Sequence, residues 1–247
     1  MPIGPSDNSF APADVLGALL AQNGSTILTA DRKNIALNLA IYVNGQPTFP
    51  TTDALSVYTS FATPGQPNYS WSTTMGDPVD AFVSQKTGAI IGYYSTLQEI
   101  IKRKVGFTVR VGPLPQKNED VKERIDYGIT WSHLVNKNSP YGGLAWSYLS
   151  SLFGEDNPEV YAKATNHLSV ADFSSPTELD ADIVNLEDAA KLFEVQMQTI
   201  AKLEKPEWQG IDEIFQDMIK QVVNLQQSPQ NSVDSAAERL KVYLPTN

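Results

Sequence analysis

Aromatic and amide side chains are the groups in this 247-residue sequence whose types and positions could do chemistry. Trp71 follows a polar, proline-containing stretch where a core tryptophan is unexpected, and Tyr93 and Tyr94 end a short apolar run. Trp131 lies in an apolar segment that follows a run of charges. Flat rings stack on sugar rings, and Asn, Asp and Gln bind sugar hydroxyls. These four residues are therefore candidate ligand-binding residues, and packing in a core is the alternative for each.

The sequence contains few residues that could support catalysis or bind a metal. The chain has no cysteine, which excludes thiol catalysis, disulfides and thiolate metal sites within it. Its two histidines, His133 and His167, have no candidate nucleophile at a recognisable spacing, so structural roles are favoured. Nucleotide-binding, zinc-protease and serine-hydrolase motifs are all missing. The sequence therefore predicts no catalytic residue, no metal and no cofactor.

One group of carboxylates keeps a glycoside hydrolase open as an alternative. Such an enzyme needs two acids that face each other across the glycosidic bond. The candidate acids are Glu119, Asp120, Glu123 and Asp126. They alternate with Lys117, Lys122 and Arg124, so a solvated charge run is the favoured interpretation.

The charge balance narrows the range of partners. The chain carries 28 acidic and 18 basic residues, a net charge of −10, which argues against nucleic-acid binding. Residues 177–247 contain 13 of the acidic and 6 of the basic residues, so a helical module that docks a protein partner through an acidic face is a second hypothesis. No apolar stretch reaches the ~18 residues of a transmembrane helix, and the first residues carry no export signal.

The order of predicted helices and strands indicates an α/β chain with a helical C-terminal portion. Proline after a capping residue and glycine after an apolar run mark helix ends. These signals and the apolar spacing predict helices at 12–22, 53–61, Pro78–Ser84, 96–103, 140–153 and 158–166, and three more after residue 176. Runs of apolar or alternating residues predict strands at Thr87–Tyr93, Phe107–Val111 and Ile129–Val135.

The order of short motifs resembles bacterial extracellular solute-binding proteins of the carbohydrate ABC-uptake class. Phe82–Tyr93 resembles their F-x-x-G-K-x-A-M-x-x-G segment, with Gln85 in place of glycine and Ile90 in place of methionine. Further similar segments, in order, are Gln22–Gly24 (Q-N-G), Val111–Gln116 (G-x-x-P-L-P), Trp131–Ser139 with Leu144–Leu149, and the closing helices Phe193–Ala201 and Ile214–Ile219. The resemblance covers nearly the whole chain.

This resemblance implies a two-lobed fold of the periplasmic-binding-protein-like type II, with the first lobe incomplete. On that basis residues 1–115 form lobe two, 116–176 a returning part of lobe one, and 177–247 helices that pack on lobe two. Members of the family hold a sugar or oligosaccharide by hinge closure of the lobes and deliver it to an ABC transporter permease. The implied protein is an extracellular or periplasmic monomer, and its lipoprotein anchor is absent from this chain.

The resemblance also adds two ligand-facing residues, Asp7 and Asn8, to Trp71, Tyr93, Tyr94 and Trp131. Among these, Trp71 is the one whose polar surroundings in the sequence most favour a binding role. Replacing it with alanine is expected to weaken ligand binding by about 1–3 kcal/mol, with little loss of stability.

Overall fold

The computed structural model describes residues 1–5, 9–117, 124–128, 133–153, 158–165, 168, 193 and 210–244. The main chain divides into two compact units. The first unit comprises Met1–Gly92, Pro115–Tyr127 and Ala201–Asn247. The second comprises Tyr93–Leu114 and Gly128–Ile200. The described part of the chain is rich in helix and contains one small sheet.

The helices begin and end close to the positions that their sequence signals predict. They are α1 (Pro12–Gln22), α2 (Pro50–Ser60), α3 (Pro78–Val83), α4 (Tyr94–Lys102), α5 (Gly142–Phe153), α6 (Pro158–Thr165), α7 (Ile211–Val223) and α8 (Pro229–Leu240), followed by a 3₁₀ turn at Lys241–Tyr243. Proline is the first residue of five of these, where its missing N–H costs no hydrogen bond. The helix predicted between 176 and 210 lies outside the described residues, apart from Phe193, which is helical.

The predicted end of α1 is confirmed in detail. Gly24 adopts a left-handed conformation with φ of 76°, which a residue with a Cβ atom adopts only at a cost. Its N–H donates to Ala21 O at 3.0 Å, and the next N–H, of Ser25, donates to Leu20 O at 2.9 Å. This is the pair of hydrogen bonds that closes a Schellman motif, and it turns the chain sharply away from the helix.

The first unit is organised around the apolar faces of α1, α2, α7 and α8. These helices contact one another: α7 packs on α8 and α1, and α2 contacts all three others. The largest side chains sealed inside are Tyr58, Phe215, Leu16, Leu20, Ile27, Leu37, Leu55, Met218, Ile219 and Leu240. The apolar spacing predicted for the last two helices is therefore confirmed by what those helices bury.

A β-hairpin in the first unit was missed by the strand predictions. Strand β1 (Ile41–Val43) pairs antiparallel with β2 (Gln46–Thr48). The two turn residues, Asn44 and Gly45, have φ of 52° and 78°. Positive φ at both positions is the type I′ pattern, and Asn-Gly is its strongest sequence signal. The signal was present in the sequence, but the strands on either side are only three residues long.

The strand predictions for Thr87–Tyr93 and Phe107–Val111 are wrong. Neither segment has the regular backbone of a strand, and the hairpin is the one sheet in the described ranges. The predicted alternation of faces is nevertheless present, because Phe107, Val109 and Val111 are half-buried between exposed residues. A strand requires a hydrogen-bonded partner, which a local pattern cannot supply. Of the third predicted strand, residues 129–132 lie outside the described residues and 133–135 are unpaired.

The described residues of the second unit bury much less than those of the first. In α4, Thr96, Leu97 and Ile100 are buried. In contrast α5 has no buried residue and no charged one, and it exposes Leu144 by 70% and Trp146 by 58%. Since hydrophobic stabilisation grows with the apolar area removed from water, we expect the described residues of the first unit to contribute more stability than those of the second.

Replacing Phe215 with alanine should strongly destabilise the first unit. Its ring is fully buried among the four packed helices, so the change leaves a large cavity and should cost about 3–5 kcal/mol. Urea unfolding measures the loss. The matched control is Val242→Ala, a 79% exposed residue that should change the unfolding midpoint little. An equal effect of both substitutions would contradict this core.

Candidate functional site

The structure describes three of the six predicted ligand-binding residues. Trp71 belongs to the first unit, and Tyr93 and Tyr94 open α4 in the second unit. Asp7, Asn8 and Trp131 lie outside the described residues, so their roles stay predictions. Within the described set, Tyr93 and Tyr94 are neighbours because they are consecutive in the sequence, and Trp71 belongs to the other unit.

Trp71 is buried, contrary to the expectation of a tryptophan placed outside the core. Only 4% of its surface is accessible. The loop after α2 turns back on the helix end, and the N–H groups of Ser70 and Trp71 both donate to Phe61 O, at 2.9 and 3.3 Å. The polar and proline residues before Trp71 indicated a loop correctly, but the fold of that loop decides where the ring points. Since the ring is buried, we now expect Trp71→Ala to destabilise the protein by about 3–5 kcal/mol.

The Trp71 side chain packs directly on the N-terminal segment. A Cβ atom added at Gly4 would lie 2.6 Å from Trp71 Cδ1 and 3.0 Å from Trp71 Cβ, so only glycine fits this contact. The neighbouring Ser70 hydroxyl donates to Met1 O at 2.7 Å. Ile3 is also part of the buried core. Residues 1–5 are thus fixed against the first unit along their length.

Buried hydroxyl groups fix the same segment from the other side. Tyr58 Oη donates to Gly4 O at 3.1 Å, and burial raises the pKa of Tyr58 to about 12. Ser9 Oγ lies 2.6 Å from Pro5 O and 3.0 Å from Gly4 O, and 3.5 Å from Tyr58 Oη. These contacts fix the two residues, Pro5 and Ser9, that flank the predicted ligand-binding pair Asp7–Asn8.

Sequence reasoning missed these supporting residues. Gly4 and Tyr58 are 54 positions apart, and Ser70 is 69 positions from Met1. No motif or periodicity links positions at such separations. The one available signal was the rigid Pro2-Ile3-Gly4-Pro5 composition, in which the prolines fix φ and glycine permits close approach.

The tyrosine pair lies at the N-terminus of α4. Tyr93 caps the helix, and its N–H donates to Thr96 Oγ1 at 3.2 Å. The helix therefore begins two residues before the predicted start at 96, and Thr96 occupies its third position. Tyr94 meets Phe193 edge to face, with ring centroids 5.6 Å apart. Both tyrosines are half-buried, so each ring keeps some surface that a ligand could contact.

A second aromatic group in the second unit has a packing role. His133 contacts Phe153 and Tyr161 edge to face, at centroid distances of 5.2 and 6.1 Å, and Phe153 also contacts Tyr161. This arrangement agrees with the structural role expected for His133. In the described ranges no three His, Asp or Glu side chains are grouped so that they could hold a metal ion.

Of the four acids considered for a glycoside hydrolase, the structure describes Asp126. The other three, Glu119, Asp120 and Glu123, lie outside the described residues. Asp126 is 3% exposed, and its Oδ2 lies 3.9 Å from Arg124 Nε. A buried, ion-paired carboxylate supports the local structure of the chain and is poorly placed to reach a glycosidic bond.

Comparison with known proteins gives similarity at the level of the fold. No protein-family model matches the sequence, and no curated protein is significantly similar to it. Among solved structures, an ABC transporter solute-binding protein from Thermotoga lettingae TMO bound with alpha-D-tagatose aligns at a TM-score of 0.56 and 17% identity. A protein from Synechococcus sp. MITs9220, assigned as an oligosaccharide periplasmic-binding protein, aligns at a TM-score of 0.61 and 16% identity.

These alignments involve nearly all of this chain but only part of the others. They cover 98% and 99% of this chain, and 59% and 60% of the two solved chains. The chain therefore spans about 60% of the length of the proteins it resembles. At such low identity the likeness shows a partial solute-binding-protein fold. Among the described residues, no helix has both the length and the apolar character needed to cross a membrane.

Replacing Gly4 with alanine should destabilise the first unit, because the new methyl group would overlap Trp71 at its rigid Cβ and Cγ end. Overpacking of this kind costs about 1–3 kcal/mol. The control is Gly88→Ala, since a Cβ at Gly88 meets nothing within 4 Å. Urea unfolding followed by tryptophan emission measures both. If Gly4→Ala is as stable as Gly88→Ala, the packing of Trp71 on the N-terminal segment is wrong.

The stability of the protein should fall as pH rises from about 10 to 12. The pKa of Tyr58 is raised from 10 to about 12 in the folded protein, so over this range the unfolded chain has lost a proton that the folded chain retains. Each pH unit can then remove at most about 1.4 kcal/mol.

The Tyr58→Phe variant tests this pH dependence. It should lose about 1 kcal/mol at neutral pH, with its hydrogen bond to Gly4 O, and should show a smaller alkaline decline. Tyr42→Phe, at a side chain that is 75% exposed, should behave like the unchanged protein. An unchanged alkaline decline in Tyr58→Phe would contradict the proposed role of this hydroxyl.

Proposed function

We propose that this chain acts as a solute-binding protein for a sugar or oligosaccharide and delivers its ligand to an ABC importer. The supporting observation is the fold: nearly the whole chain aligns with two solute-binding proteins. The ordered motifs of the sequence point to the same class independently. No bond is made or broken in this function, so it requires no catalytic residue.

Sugar as the ligand class is supported by two kinds of observation. One structural neighbour was solved with alpha-D-tagatose, and the other is assigned to oligosaccharides. In this chain, Tyr93 and Tyr94 offer partly accessible rings at a helix N-terminus. Stacking on such rings lets a site recognise the apolar faces of a sugar, while amide and carboxylate groups orient its hydroxyls.

Each candidate residue then has a distinct proposed role. Tyr93 and Tyr94 stack on the ligand, and Trp131 provides a further ring. Asp7 and Asn8 bind hydroxyl groups. Trp71 is buried, so its contribution is to hold the N-terminal segment that precedes Asp7, through its contact with Gly4.

The proposed setting follows from the same class. Ligand binding is accompanied by hinge closure, and the closed protein is recognised by the permease of an ABC transporter. The site of action is the periplasm or the cell exterior, and the protein acts as a monomer. The net charge of −10 keeps such a protein soluble and disfavours binding to anionic lipid surfaces.

Titration calorimetry with a panel of mono-, di- and trisaccharides tests the function directly. Binding of at least one sugar, with no turnover of chromogenic glycosides, is the expected result. A protein that binds a peptide or an amine but none of the sugars would show that the ligand class is wrong. Turnover would revive the hydrolase alternative.

Replacing Tyr93 with alanine should weaken sugar binding by about 1–3 kcal/mol, the scale for a lost aromatic contact. The helix should survive, because alanine at position 93 retains the backbone N–H that donates a hydrogen bond to Thr96 Oγ1. The control is Tyr42→Ala, which removes an exposed ring in the first unit and should leave affinity unchanged. Equal affinities for Tyr93→Ala and the unchanged protein would remove Tyr93 from the site.

A further inference from the structure

Two passages of the chain lie against the C-terminal end of α1. They are residues 115–117 and 124–127, and both belong to the first unit. The residues before them, Tyr93–Leu114, and after them, Gly128–Ile200, belong to the second unit. The chain thus enters the first unit at Pro115 and leaves it after Tyr127. It crosses between the units at both ends of this segment.

One side-chain amide binds both passages. Gln22 is the last residue of α1, and its Nε2 donates to Pro115 O at 2.9 Å and to Ile125 O at 3.2 Å. An amide nitrogen carries two hydrogens, so it can serve both carbonyls at once. Gln22 therefore connects the entering and the leaving chain to the end of a helix that is itself packed in the core.

A second glutamine ties the passages to each other. Gln116 Nε2 donates to Ile125 O at 3.1 Å, and the Ile125 N–H donates to Gln116 Oε1 at 2.8 Å. The side-chain amide therefore makes the same two hydrogen bonds that a neighbouring strand would make with residue 125. The passages are paired without forming a sheet, which explains why no strand signal marks them.

Further contacts attach the passages to α1 at both ends. Lys117 Nζ donates to Asn23 Oδ1, next to Gln22. Tyr127 Oη donates to Asp14 Oδ1 at 3.1 Å, and its ring lies so close to Gly17 that a Cβ there would be 2.9 Å from it. The passages are thus held along more than two turns of one helix.

Glycine residues lie at or near the unit boundaries just outside these two passages. The unit boundaries fall after Gly92, after Leu114 and before Gly128. Gly112 lies two residues before the second of these boundaries. Glycine adopts a wide range of backbone angles, and hinges consist of a few residues that absorb such changes next to fixed ones.

We propose that Gln22 is a positioning residue that fixes the first-unit side of the joints at Leu114–Pro115 and Tyr127–Gly128. It deepens the proposed function, because hinge closure needs joints with a fixed side. It also accounts for the Gln-Asn-Gly sequence at the end of α1: Asn23 and Gly24 end the helix, and Gln22 holds the joints. Loss of the two hydrogen bonds that Gln22 donates should increase the motion at these joints without unfolding the core of the first unit.

The absence of cysteine from this chain allows a direct measurement. Thr73→Cys in the first unit and Ser147→Cys in the second place one spin label in each, both at exposed positions. Pulsed electron paramagnetic resonance then gives the distribution of distances between the labels. The measurement needs no ligand, so a failure to bind sugar would leave its outcome intact.

In this background Gln22→Met keeps the length of the side chain and removes its donors. We expect a broader distance distribution. We also expect exchange of the Ile125 amide to be faster by about tenfold, because the passage loses the hydrogen bond from Gln22 to Ile125 O and opens more often, although the Ile125 N–H keeps its acceptor on Gln116. Gln22→Lys restores a donor to both carbonyls and should restore the narrow distribution. The matched control, Gln66→Met, changes an exposed glutamine of a turn and should alter neither quantity.

Two outcomes would overturn the proposal. The first is a distance distribution of unchanged width in Gln22→Met, whatever happens to the Ile125 amide. The second is a broadening that accompanies a lower unfolding midpoint and that Gln22→Lys does not reverse, which would make Gln22 an ordinary stabilising residue. If Gln22→Met fails to fold, Gln116→Met removes the neighbouring amide from the same passages and must give the broader distribution.

Discussion

The packing of the two ends of the chain into one core is the interaction on which the rest of the structure depends. Helices α1 and α2, from the first quarter of the sequence, share their apolar faces with α7 and α8, from the last. Neither pair could bury its face alone. Because both ends belong to the first unit, the chain between them crosses into the second unit at Tyr93 and at Gly128 and returns at Pro115 and at Ala201.

That core also determines what the candidate site rests on. Tyr58 is fully buried in α2, and its hydroxyl donates a hydrogen bond to Gly4 O in the N-terminal segment. Gly4 in turn packs against the Trp71 side chain. Residues 1–5 are therefore attached to the buried core of the first unit.

The described residues of the second unit follow a different physical pattern. Its helix α5 has neither charge nor buried side chain, and half-buried and exposed residues alternate along 105–111 although this segment is not a strand. Aromatic edge contacts, such as those among His133, Phe153 and Tyr161, provide local packing instead. The amides of Gln22 and Gln116 act within the first unit, on the chain passages that lead to and from the second.

The described helices could be predicted from local sequence, because capping residues, proline and glycine act within a few positions of each other. The ends of α1 and α3 are set by Gly24 and Asp77, whose hydrogen bonds reach at most five residues along the chain. The Asn-Gly turn is equally local. Local sequence could not predict whether extended segments form strands, whether Trp71 is buried, or which chain passages Gln22 binds. Those outcomes depend on groups about 50 to 100 residues apart, which meet only when the apolar faces of the helices are removed from water together.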